Sequence, residues 1–135
     1  MRSPWIVLAV AWMALLPAIG WADARPTDLW STKTKTASTT SSSTDTVIWT
    51  PASGKKIALQ GIAISAGGAG KVEIESDNVD VIPVITLDSG GFKVISGGET
   101  PLWTGDADAT LTYTNTGGFS GSSQSLSILL WGYEY

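Results

Sequence analysis

Apolar and polar residues alternate with a period of two along most of the chain beyond Thr46, in runs too short to build a helical stripe. Lys71-Val72-Glu73-Ile74-Glu75 shows the pattern most plainly, with Val72 and Ile74 in one phase and the charges in the other. It predicts a strand with one buried and one wet face. Ile57 and Leu59 keep one phase and Ile62 and Ile64 the opposite one, so the alternation slips at Gln60-Gly61 and a β-bulge at Gly61 is expected. Val79 to Leu87 is apolar in both phases but contains Pro83, which restricts it to an edge, a bulge or two short pieces. Phe92 and Val94, Leu102, and Leu111 and Tyr113 are the expected inward residues of further short strands. Between these runs lie Ala66-Gly67-Gly68-Ala69-Gly70, Asp88-Ser89-Gly90-Gly91, Ser96-Gly97-Gly98, Gly105-Asp106 and Thr116-Gly117-Gly118, all turn chemistry. Strand signals about every ten residues, divided by glycine turns, predict an all-β fold: a single antiparallel β-sandwich of about eight strands, jelly-roll-like, spanning 47–135.

The closing strand departs from simple alternation. Leu126, Ile128 and Leu130 occupy one face, while Ser125 and Ser127 begin the other and Leu129, Trp131, Tyr133 and Tyr135 continue it. A sandwich strand normally turns one face to water, so this second stripe must meet a folded-over loop, another subunit or a ligand. Aromatic enrichment at interfaces favours a subunit contact. Together with Trp103, the same aromatics are the candidates for stacking on a glycan.

From Ser31 to Thr46 every residue is Ser or Thr except Lys33, Lys35, Ala37 and Asp45. Such a tract cannot bury apolar surface of its own and reads first as a flexible spacer, open to O-glycosylation. Threonine also has good β-propensity, and Lys33-Thr34-Lys35-Thr36 alternates as an added strand does. Leu29-Trp30 and Val47-Ile48-Trp49 flank the tract as apolar anchors. The competing expectation is therefore an N-terminal extended arm, residues 25–46, that donates a strand to a neighbouring subunit through Leu29, Trp30, Thr32, Thr34, Thr36, Val47 and Trp49.

Residues 1–24 have the layout of a secretion signal: Arg2, an apolar run from Ile6 to Leu16, then Ala22-Asp23-Ala24 as a small-residue cleavage site. The apolar run is shorter than the roughly 20 residues that span a bilayer. The expected mature chain is thus extracellular or at the cell surface, without stable membrane insertion.

Composition narrows the chemistry. The 135 residues include no histidine and no cysteine, so Ser-His-Asp and Cys-His nucleophile systems, thiol redox work and the usual zinc or haem ligand sets are excluded. A formal charge of −4 gives no electrostatic footprint for nucleic acid. Glu73 and Glu75 fall on the wet side of a strand and Glu134 stands beside the terminus, which builds no acid–base cleft. No catalytic residue and no cofactor are expected. Asp77, Asp80, Asp106 and Asp108 are weak calcium candidates, since acids in turns usually bond their own backbone. An exported domain without disulfides must be held by its own core or by its neighbours, and the expected partner is another copy of the chain.

The stretch Trp49-Thr50-Pro51-Ala52-Ser53-Gly54-Lys55-Lys56-Ile57-Ala58-Leu59-Gln60-Gly61, with Pro101-Leu102-Trp103 and Leu130-Trp131-Gly132-Tyr133-Glu134 later, resembles small β-sandwich domains of phage and bacterial surface or fibre proteins. The resemblance covers Val47 to Tyr135 loosely. It implies a jelly-roll-like structural module that assembles through its sheets and carries no catalytic residues. An export signal, which a virion component would lack, departs from the phage members. In architecture, rather than in sequence, the arm-plus-sandwich layout is similar to extracellular filament subunits that assemble by donor-strand exchange. The expectation is a secreted filament subunit; a glycan-binding surface module and a closed trimeric fibre head are the alternatives.

Overall fold

A computed structural model describes residues 32–119 and 122–135. The export signal expected at 1–24 and the arm residues Leu29 and Trp30 lie outside the described residues. The strands are β1 (Lys33–Thr39), β2 (Ser43–Trp49), β3 (Ile57–Ala66), β4 (Gly70–Ser76), β5 (Val79–Asp80), β6 (Ile85–Leu87), β7 (Phe92–Ser96), β8 (Trp103–Thr104), β9 (Leu111–Gly117) and β10 (Leu126–Glu134). They form two antiparallel sheets. Sheet A runs β1-β10-β3-β7, with β8 also on β3; sheet B runs β2-β9-β4-β5, with β6 also on β4. The fold is an all-β sandwich.

Each strand follows its side-chain phase. Val72 and Ile74 of β4, Leu111 and Tyr113 of β9, and Leu126, Ile128 and Leu130 of β10 are all buried between the sheets. Burial of apolar surface at about 25 cal/mol per Å² is the term that holds a disulfide-free sandwich together. Trp49, at the end of β2, and Phe119, in the connection after β9, are the largest fully buried side chains. Val79–Leu87 resolves into two short pieces, β5 and β6, both on the edge of β4, with exposed Pro83 between them.

The phase change in β3 is a bulge. The ladder to β10 runs from Leu126↔Ala66 to Trp131↔Gly61 and resumes at Gly132↔Leu59, so Gln60 is the extra residue. Two glycines make the irregularity possible. A Cβ on Gly132 would collide with the Ala58 carbonyl oxygen, and one on Gly61 would collide with the Trp131 indole, which lies across it.

The edge strand β7 corrects one expectation. Phe92 and Val94 point outward, 64% and 54% exposed. The register pairs Ile95 with Ile62, and this inward pair sets the phase of β7, leaving Phe92 and Val94 on the same side as Ser65 and Ala63. Both phases of Phe92-Lys93-Val94-Ile95 contain an apolar residue, so alternation alone could not decide between them.

Gly61→Ala must push the Trp131 indole off the sheet. We expect it to destabilise the fold by about 1–3 kcal/mol in urea titration and to shift tryptophan emission to the red.

Candidate functional site

The Ser/Thr tract, expected to be a spacer or a donated strand, forms β1 and the first half of β2 within the chain itself, so position 46/47 falls inside β2. β1 pairs with β10 over its whole length, from Lys33↔Gly132 to Thr39↔Leu126. Its own side chains add little: Thr34, Thr36 and Ser38 are exposed, and only Ala37 packs against the core. What holds this strand is the backbone ladder and a fastening at each end.

The first fastening is Glu134. Its side chain is 5% exposed, and its Oε2 stands 2.7 Å from Lys33 Nζ. Oε1 accepts from Trp49 Nε1 at 2.9 Å, and Oε2 also accepts from the Ala52 N–H at 3.1 Å. One carboxylate therefore joins β1, β2, the β2–β3 turn and β10. Burial pushes its pKa up, but the hydrogen bonds from Lys33, Trp49 and Ala52, with the Lys33 charge, outweigh this and hold it at about 2.

The second fastening is Asn115, fully buried on β9. Its Oδ1 accepts from the Ser43 N–H at 3.0 Å and from the Ser43 hydroxyl, and its Nδ2 donates to the Ser41 carbonyl at 3.1 Å. The turn between β1 and β2 is thereby pinned to sheet B. Both fastening residues carry a signal in the sequence. Glu134 falls in the inward phase of Leu126, Ile128 and Leu130, and Asn115 in that of Leu111 and Tyr113. A polar residue in the buried phase needs partners, and treating Glu134 as a loose terminal acid overlooked this.

The expected arm residues do not form one surface. Thr32, Thr34 and Thr36 are exposed on or beside β1, Val47 is exposed on the outside of sheet B opposite Thr112, and Trp49 is in the core.

The expected aromatic stripe also divides. Leu129 and Trp131 lie on the outer face of sheet A, with Trp131 half covered by its contact with Gly61. Tyr133 and Tyr135 stack at 6.0 Å with planes tilted by 55°. Trp103 is half-buried against the core and lines a separate cavity of about 250 Å³ with Asp77 and Asp106.

One of the four turn acids, Asp108, bonds the backbone through its side chain. Asp77 and Asn78 take left-handed conformations, φ 50° and 61°, in the β4–β5 turn, and Asp108 Oδ1 accepts from the Gly54 N–H at 2.6 Å. Asp80 sits opposite Glu75. Among the described residues no three acidic side chains gather to hold a metal. Compared with known proteins, the chain matches no family model and no curated protein.

Because the Glu134 pKa is depressed, its stabilisation is complete above about pH 4.5 and fades as pH falls towards about 2. Glu134→Gln should cost about 2 kcal/mol at neutral pH, and the gap between variant and wild type should close across that acid window. Urea titrations at stepped pH measure both; equal stability at pH 7 would show that the fastening carries none.

Proposed function

We propose that the chain is an exported structural subunit that assembles with copies of itself into an extracellular fibre at the cell surface, by passing β1 to a neighbouring copy. The observation that carries this reading is how β1 is held. Its ladder and its ion pair involve only residues 126–134, so the same segment of another copy would find the same partners. Exchange of an identical element keeps its contacts and changes only which chain supplies them, a low-cost route to assembly. The hinge is short, from Thr40 to Ser42, with Asn115 holding its middle at Ser41 and its far side at Ser43; a short connection between swapped elements is one that invites exchange when it is strained.

Simple edge addition is less suited to this strand. The half-buried positions of β1 include Lys33 and Lys35, and inward-facing charges on an edge strand discourage another edge from pairing with it. Head-to-tail exchange that does not close on itself grows a filament. Export rests on the signal-like residues 1–24.

We read the sandwich as a jelly roll. The first strand pairs with the last and the second with β9, while β3 and β4 lie inside them. Taking β5 and β6 as one interrupted edge strand and β8 as a short addition leaves eight principal strands. No catalytic role belongs to this reading: Glu73 and Glu75 lie opposite Thr114 and Thr112 on the outside of sheet B, and Glu134 is occupied by its donors. A second reading, a glycan-binding module, draws on the cavity that brings Trp103 beside Asp77 and Asp106.

A synthetic peptide spanning Thr32–Thr40, in excess, should occupy the β10 edge, shorten fibres in negative-stain images and hold the protein at low mass in light scattering. A scrambled peptide should do neither. Assembly indifferent to the native peptide would rule out strand donation.

A further inference from the structure

A cavity of about 250 Å³ opens between the two sheets where β4 ends. Sheet B supplies Ser76, the last residue of β4, and Asp77 of the turn that follows; β8 of sheet A supplies Trp103 and Thr104, with Asp106 just beyond. Alternation explains why they meet. Ser76 continues the inward phase of Val72 and Ile74, and Trp103 stands opposite the buried Leu59 in the β8–β3 ladder, so hydroxyl and indole both turn towards the space between the sheets.

Both walls are held by the backbone. Asp77 and Asn78, φ 50° and 61°, make the two-residue turn of a hairpin that pairs Ser76 with Val79. On the other wall the Gly105 N–H donates to the Ile57 carbonyl and the Asp108 N–H to the Lys55 carbonyl, each at 2.9 Å. The Trp103 ring rests on Gly105, where a Cβ would collide with it.

Ser76 marks the cavity as a site. The residue is 7% exposed, yet its hydroxyl has no hydrogen-bond partner among the described residues and opens into the cavity. Buried hydroxyls are normally bonded, because leaving one unpaired is costly. The Asp77 and Asp106 carboxylates also make no hydrogen bond or ion pair with any described residue.

We propose that this cavity binds one neutral sugar ring. Its donors and acceptors select that class. The lining holds two carboxylates and no cationic side chain, which repels phosphates, uronic acids and other anions. Carboxylates only accept, and neighbouring hydroxyls of a sugar donate to them. The Ser76 and Thr104 hydroxyls each donate and accept. A sugar hydroxyl answers both directions, whereas an ammonium group has donors alone and would leave the Ser76 donor unmet. The indole offers an apolar surface to the C–H face of the ring. At about 250 Å³ the space falls below the roughly 300–1,000 Å³ of drug-sized sites, so it admits a single ring of a glycan and not a run of them. The proposal rests on the glycan-binding reading and is independent of strand donation, since no residue of β1 or β10 lines the cavity.

Titration of the purified protein with the methyl glycosides of glucose, galactose and mannose, followed by tryptophan fluorescence, tests it. At least one should give a saturable change, absent from Trp103→Phe. Ser76→Ala breaks no side-chain bond within the chain, so it should leave the thermal midpoint unchanged while weakening that glycoside about three- to tenfold. Asp106→Ala, at an exposed position, should weaken it about tenfold or more, and glucuronate should bind at least tenfold more weakly than the best glycoside. Saturation unaffected by both Ser76→Ala and Asp106→Ala, or tetramethylammonium binding more tightly than every glycoside, overturns the site. Retention of the protein on immobilised polysaccharide without any response to the free glycosides overturns the site and leaves the glycan reading standing; neither retention nor response overturns both.

Discussion

A buried carboxylate one residue from the end of the sequence is the constraint on which the N-terminal half of the structure depends. Glu134 is charged, nearly inaccessible, and tolerable there only because Lys33, the Trp49 indole and the Ala52 amide converge on it. Each partner belongs to a different segment. The indole that donates to it also fills the end of the core, so packing and electrostatics are joined at one point. β1 could not rest on its own side chains, since most are hydroxyls facing water or lysine stems. A ladder fastened by Glu134 at one end and by Asn115 at the other gives a polar segment a defined place.

That economy has a consequence for assembly. A strand held by backbone pairing and terminal fastenings, rather than by a large apolar anchor, is specified by its register and not by the chain it comes from. No disulfide locks it in place, so the proposed exchange would have to open the β10 ladder, the Lys33–Glu134 pair and the hinge, and would regain the first two on the neighbouring copy. The uncharged cross-strand rows of sheet A and the charged outer residues of β4 give the sandwich two different sides.

Much of the fold was legible in the chain. The phase change at Gln60-Gly61, the interruption at Pro83 and the inward sets of β4, β9 and β10 all reflect simple alternation, because one face of each strand is buried and the other is not. Where both phases carry apolar residues, as in Phe92 to Ile95, alternation is silent and the cross-strand partner Ile62 decides. The Ser/Thr tract was ambiguous because its stability lies in residues 72 or more positions away, Asn115 and Glu134, whose pairing is invisible along the chain. Those two polar residues did stand in the buried phase of their strands, and asking what satisfies each would have pointed to the tract. Trp131 and Gly61 were similarly separable only as singles: an indole covering a glycine is a fact about register.

The central claim is that β1 is exchanged between copies. Thr36 lies directly opposite Leu129 in the β1–β10 register, and the chain has no cysteine of its own. Thr36→Cys with Leu129→Cys in one chain, oxidised after assembly and run under denaturing, non-reducing conditions, reads out which chain supplies the strand. Exchange predicts a covalent ladder of dimers, trimers and larger species. A single band of monomers, each closed on itself, would contradict it.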